Sequence, residues 1–351
     1  MTAQVIKALI AKSGVDANDI EDLILGCAFP EGEQGMNMAR LIIPLAELPI
    51  SIAGVTLNRF CGSSMQAIHF AAGAIQMNAG EAFICAGVES MSRVPMGGFN
   101  YLPNPELYEN YPQAYMSMGE TAENLAQKYN ISRIDQEAFA LLSQQKAYMA
   151  QQQGLLDDEI IPIVSQRGAT IAQDGCLRPD SSAAGMAELN PAFSVQGSVT
   201  AATSSPLTDG AAAVLVCSED YANTHGLAKL ARIKSIAVSA CLPEIMGIGP
   251  VSATQKALQR ANLTLADMDI VELNEAFSAQ SLAVLHDLPI AAEKLNIDGG
   301  AIALGHPLGA TGARITGKAA SLLQREDKQY ALATQCIGGG QGIATILEAV
   351  S

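Results

Sequence analysis

VTLNRFCGSSMQAIHFAAGAIQMNAG, residues 55–80, runs directly into EAFICAGVES, residues 81–90, and this stretch decides the fold. VTLNRF carries the β-branched and aromatic residues of a strand. SSMQAIHFAAGAIQMNAG reads as a helix ending at Gly80, and EAFICAGVES as a second strand. Strand, helix and strand in so short a span is the βαβ unit of a parallel sheet, which points to the α/β class. Cys61 stands at the junction of the first strand and the helix, inside neither. If Ser63 and Ser64 open the helix, the sulfur lies near its N-terminus, where the dipole and free N–H groups favour a thiolate. An isolated cysteine is more often an inert core residue, so Cys61 gains meaning only from its company.

The same alternation extends outward. Residues 3–13 form a helix, with a short strand around Leu23–Cys27. After residue 206 the texture returns: DGAAAVLVCSED and ARIKSIAVSA are strands, PVSATQKALQRANL is a helix, and MDIVELNEAF is a strand entering a loop. ALATQCIGGGQGIATILEAV is a strand, a turn and a strand. Between 92 and 206 the chain is rich in Pro, Gly, Asn and Tyr. It holds two polar helices, near 119–130 and 133–153, and then an irregular stretch. It reads as an inserted lobe, where substrate contacts often lie. Two strands end on a cysteine followed by small residues, at Cys61 and Cys336, which suggests duplicated halves facing one site.

The 351 residues are 49% hydrophobic, enough for a large core in two or three lobes. Thirty-five acids against 20 Lys and Arg give a formal charge of −15 without a basic stripe, which argues against general nucleic-acid binding. The seven cysteines are scattered without a CxxC pair, so neither a disulfide framework nor a zinc site is expected, and the compartment reads as reducing. The N-terminus lacks a signal peptide's apolar core and no run approaches a membrane span. The expectation is a soluble cytoplasmic protein.

Four sites carry chemistry. Cys61 precedes Gly-Ser-Ser, whose backbone N–H groups can face an oxygen. GGAIALGHPLGATGARI, residues 299–315, holds His306 on a glycine-rich turn, ready to act as base or oxyanion donor. ELNEAF, residues 272–277, presents Asn274 and Glu275 after an apolar strand; Asn274 also reads as a helix N-cap. Cys336 precedes three glycines in QCIGGGQG, which frees the N–H of Gly338. Taken together, two thiols, a histidine, an asparagine and backbone donors can form an acyl-enzyme and move a proton on carbon. The spacing of Cys61, His306 and Cys336 matches no common zinc pattern, so no metal is expected.

With these residues in view the sequence resembles the thiolases, the acyl-CoA acyltransferase family, over nearly its whole length. NRFCGSSMQA resembles the nucleophile segment, NEAF the asparagine loop, GGAIALGHPLGATGAR the histidine segment and CIGGGQG the second-cysteine turn. SVTAATSSPLTDGAAA resembles the signature near the CoA site. The resemblance implies two similar βαβ-type halves in an α-β-α-β-α layered arrangement with an inserted loop domain, assembled as a homodimer or homotetramer. The N-terminal half is expected at 1–91 and about 207–226, the loop domain at 92–206 and the C-terminal half at 227–351.

The resemblance also implies roles. Cys61 is the nucleophile, His306 takes its proton, and Asn274 fixes a water in the same oxyanion hole. Cys336 is the second acid/base, and the N–H groups of Cys61 and Gly338 form another oxyanion hole. Arg178, Ser205, Ala201, Phe193 and Met118 are the expected CoA and pantetheine contacts, with CoA as co-substrate and no cofactor. Ser117 stands where short-chain biosynthetic relatives carry histidine. The branch suggested is degradative 3-ketoacyl-CoA cleavage in fatty-acid β-oxidation, with a hydratase/dehydrogenase subunit as a possible partner. The competing readings are acetoacetyl-CoA condensation and a non-catalytic acyl-CoA-binding subunit. Two departures stand out. Relatives begin with an additional strand, expected here to be missing from the centre of the first sheet, and Asn190 replaces an arginine.

Overall fold

The first half follows the alternation of its sequence: α1 (Thr2–Ser13), β1 (Asp22–Gly26), α2 (Met38–Leu45), β2 (Ala53–Leu57), α3 (Ser63–Gln76) and β3 (Ala82–Ser90). The structure is a computed structural model and describes residues 1–350. Helix α1 stops at Gly14, whose φ of 74° lets its N–H reach Ile10 O. The middle segment holds α4 (Pro105–Asn110), α5 (Met118–Lys128), α6 (Arg133–Gln152), the small hairpin β4 (Ile163–Val164) and β5 (Thr170–Ile171), and α7 (Ala183–Ala187). Ser117 opens α5 with a capping box closed by Glu120, and Ser132 caps α6 through Asp135 N. The chain continues as β6 (Asp209–Cys217), α8 (Glu219–Thr224), β7 (Arg232–Ala240), α9 (Gly249–Ala261) and β8 (Ile270–Leu273). It ends with α10 (Ser278–Asp287), α11 (Ala301–Leu304), α12 (Leu308–Arg325), β9 (Tyr330–Ile337) and β10 (Gln341–Glu348).

Two four-stranded sheets result, in the orders β2-β1-β3-β6 and β7-β10-β9-β8. In the first, β1 is parallel to β2 and β3, and β6 is antiparallel to β3. In the second, β8 is parallel to β9, β10 is antiparallel to β9, and Leu295 makes a parallel bridge to β8. The halves therefore superpose by topology: β1 with β8, β3 with β9, β6 with β10, and α3 with α12.

This equivalence corrects two expectations. Cys61 precedes α3 whereas Cys336 lies within β9, so the two cysteines are not counterparts; His306, just before α12, is the topological counterpart of Cys61. The first sheet also has no gap at its centre, because β1 and β3 pair directly. The strand that opens the second half, β7, lies at an edge beside β10.

Helices α3 and α12 form the layer between the sheets. Met65 on α3 is fully buried among Ile315, Leu322 and Ile337 on one side, while Ile68 and Ala71 pack with Ile24 and Phe83 on the other. Truncating a side chain such as Met65 to Ala costs about 2–5 kcal/mol. The two helices approach closely because Gly312 has no side chain: a Cβ there would lie 2.3 Å from Met65 N. Helices α1 and α2 cover the outer face of the first sheet, and α9 and α10 that of the second. The layers are thus α-β-α-β-α.

Candidate active site

Cys61 is reached through a strained turn. Phe60 has φ +43°, a conformation rare for a bulky residue, and its carbonyl accepts from Ser63 N and, at 2.6 Å, from Ser63 Oγ. Asn58 Oδ1 accepts from Phe60 N at 2.7 Å. Helix α3 starts at Ser63, as the sequence suggests, which leaves Cys61 just outside its first turn. Burial pushes the Cys61 thiol up to about 12, against a smaller opposing pull from the backbone dipoles at Gly338 and at Cys61 itself. Desolvation thus outweighs the helix N-terminus and favours the protonated thiol.

His306 enters from the other half. Burial and the charge of Arg314 push it down to about 3, so the imidazole is neutral. Its Nδ1 lies 2.7 Å from Thr311 Oγ1, on the first turn of α12, and its backbone N–H donates to Thr208 Oγ1 at 3.1 Å. Asn274 Nδ2 sits 3.4 Å from His306 Nε2 and 3.5 Å from Nδ1. Asn274 Oδ1 is buried without a hydrogen-bond partner among the described residues.

Asn274 is not a helix cap. Helix α10 starts at Ser278, and Phe277 occupies its N-cap position. The loop is held by Glu275, whose carboxylate accepts from Ser143 Oγ (2.6 Å), Asn296 Nδ2 (2.7 Å) and Ile302 N (3.2 Å). Gly300 permits this approach, since a Cβ there would lie 2.1 Å from Glu275 Cδ.

Cys336 is 1% exposed and packs with Ala276, Phe277 and Met118. Burial raises its thiol well above the ordinary value, and the neighbouring Cys61 adds to the rise. Gln335 Nε2 donates to Cys61 O, tying the second sheet to the nucleophile turn. The five residues expected to be catalytic fall in two groups: Cys61 with Gly338 and Cys336, and His306 with Asn274.

The expected CoA contacts divide. Met118 Sδ is 3.6 Å from where a Gly338 Cβ would stand. Phe193 meets the Phe277 ring edge-on at 5.7 Å, and Ser205 N donates to Ala276 O at 3.0 Å, so both adjoin the asparagine loop. Ala201 lies on the short 3-10 turn Ala201–Thr203, four residues before Ser205. Arg178 is exposed and its backbone N–H donates to Gln144 Oε1 at 2.9 Å. Sequence reasoning missed Thr311, Thr208 and Gln335, whose partners are distant in sequence or carry no motif.

Buried Cys61 and Cys336 and the buried, neutral His306 come from the two similar halves of an α-β-α-β-α protein. The family model for the thiolase N-terminal domain matches residues 1–220, and that for the C-terminal domain residues 227–349. The chain belongs to the thiolase family and is an acyltransferase. It is 46% identical to the 3-ketoacyl-CoA thiolase of Bacillus subtilis (strain 168), covering 98% of this chain and 91% of that protein. It is 48% identical to the 3-ketoacyl-CoA thiolase of Acinetobacter baylyi, covering 100% and 91%. The crystal structure of human mitochondrial 3-ketoacyl-CoA thiolase matches with a TM-score of 0.90 and 37% identity, over 99% of this chain and 92% of that one.

Proposed function

We propose that this chain is a 3-ketoacyl-CoA thiolase acting by a Cys61 acyl-enzyme. The observation that carries the reading is His306 held between Thr311 Oγ1 (2.7 Å) and Asn274 Nδ2 (3.4 Å), with the Cys61 turn tied by Gln335 to the strand that carries Cys336. The N–H groups of Cys61 and Gly338 are assigned to the oxyanion on the attacked carbon.

The Cys61 sulfur attacks the C3 carbonyl and its proton passes to His306. The C2–C3 bond breaks, and the electron pair leaves as the enolate of acetyl-CoA. Cys336 gives its proton to C2 and acetyl-CoA departs. Free CoA then loses its thiol proton to Cys336 and attacks the Cys61 thioester. The shortened acyl-CoA leaves, and His306 returns the proton to Cys61. Asn274 and His306 stabilise the enolate oxygen, which supplies the charge stabilisation this step needs.

The neutral state of both partners supports this order. A thiol near 12 and an imidazole near 3 hold no resting ion pair, so proton transfer accompanies attack on bound substrate. Met118, Phe193, Ser205, Ala201 and Arg178 are assigned to CoA, the first three on the side of the asparagine loop.

The edge strand β2, with exposed Val55, and exposed Leu41 and Leu45 on α2 support assembly as a homodimer. Seven cysteines free of disulfides support a reducing compartment, the cytoplasm.

Thiolysis of 3-ketoacyl-CoAs of four to twelve carbons tests the reading, with Cys61→Ala as control. Cleavage lost in the control supports it, and the chain-length profile separates broad β-oxidation activity from acetoacetyl-CoA chemistry. Absence of cleavage by the folded wild-type chain overturns it.

A further inference from the structure

Glu89, near the end of β3, is 1% exposed and lies outside every segment assigned a role above. Its Oε2 accepts from Ala28 N at 2.8 Å and Gly309 N at 2.9 Å. Its Oε1 accepts from Gln34 Nε2 at 2.6 Å and Phe29 N at 3.3 Å, with the Cys27 thiol at 3.6 Å. All these donors are uncharged. A buried carboxylate held only by dipoles is expensive, and it persists where surrounding structure demands it.

Two arms lead from it to the two catalytic partners. Gly309 opens α12, whose first turn carries Thr311 against His306. Ala28, on the other arm, accepts through its carbonyl from Asn58 Nδ2 at 2.8 Å, and Asn58 Oδ1 accepts from Phe60 N, next to Cys61. Ala28, Cys61 and Leu308 pack in one apolar cluster between the arms. The approach is close: a Cβ on Gly309 would lie 2.8 Å from Cys27 Cα.

We propose that Glu89 is a positioning residue that sets the Cys61 turn of the first half in register with the His306 helix of the second. The residue therefore holds the nucleophile turn and the base helix in line.

The test is Glu89→Gln, which keeps shape and removes charge. The test rests on the thiolase reading: an inactive wild type overturns that reading, and an active wild type is the background in which Glu89 is judged. A misplacement of ~1 Å in a catalytic site costs on the order of a hundredfold, so kcat for thiolysis is expected to fall roughly 10- to 100-fold with KM within about twofold. Unchanged kcat in an active wild-type background, or a rise in KM with kcat unchanged, overturns the proposal. If Glu89→Gln fails to fold, Asn58→Leu cuts the nucleophile arm alone; the same fall in kcat is expected, and an unchanged kcat overturns the proposal.

Discussion

His306 Nδ1 and Thr311 Oγ1 lie 2.7 Å apart across the start of α12, which leaves the Nε2 of a neutral imidazole to take a proton. The hydroxyl fixes one edge of the imidazole ring. Thr311→Val keeps the volume and deletes the bond. Its kcat for thiolysis is expected to drop about tenfold, with KM little changed, because an orienting hydrogen bond acts on the transition state. An unchanged kcat in steady-state assays would show that packing alone holds the ring.

The raised Cys61 thiol gives a pH dependence. With burial holding it near 12, the thiolate fraction grows steadily through the neutral range. The rate of Cys61 alkylation by iodoacetamide is expected to rise about tenfold per pH unit from pH 6 to 9. A plateau near pH 7 would reveal a resting thiolate–imidazolium pair instead.

Glu272, on β8, is 2% exposed and its Oε1 has no hydrogen-bond partner among the described residues. Burial raises it to about 8 despite the nearby charges of Arg314 and Lys318. A carboxyl raised on folding binds more protons in the native state than in the unfolded one, so stability falls as pH rises from the ordinary glutamate value toward 8. Glu272→Gln is therefore expected to stabilise the fold at pH 9 by on the order of 2 kcal/mol, and to do little at pH 4.5. Urea unfolding at the two pH values measures the difference. Equal effects at both would place the carboxylate in a satisfied, charged state.

Gly312 is where α12 touches α3. A methyl group there would meet Met65 backbone at 2.3 Å, with no flexible side-chain end to yield. Gly312→Ala is expected to cost at least about 2 kcal/mol by overpacking. The separation of Cys61 from His306 would grow with it, so thiolysis and urea midpoint should fall together.

Cys336 should matter to one half of the reaction. Cys336→Ala is expected to abolish solvent deuterium exchange at C2 of acetyl-CoA while acyl exchange between Cys61 and CoA persists at a reduced rate. Loss of both to the same degree would give Cys336 a structural role.

The alternation of elements was legible because each is locally consistent. EAFICAGVES, ARIKSIAVSA and the strands around Cys336 carry strand residues end to end and become β3, β7, β9 and β10. The two polar helices of the middle segment lie within a residue or two of expectation, fixed by Ser117 and Ser132. Tertiary contacts decided the rest. Asn274 reads as a cap until Glu275 is drawn to Ser143, Asn296 and Ile302, which keeps residues 274–277 out of the helix that starts at Ser278. The pull of the helix N-terminus toward a Cys61 thiolate is readable in the sequence, but how deeply the sulfur is buried is not. Glu89 gives no local signal at all: its ligand Gly309 is 220 residues away, and only the docking of the two halves brings them together.

The most direct test of the account is intact-mass analysis of the chain after brief incubation with a 3-ketoacyl-CoA in the absence of free CoA. The expected result is a mass increase equal to the acyl group shortened by two carbons, mapped to Cys61 by digestion, erased by added CoA and absent in Cys61→Ala. No adduct, or an adduct that survives in Cys61→Ala, would contradict the acyl-enzyme on which the account stands.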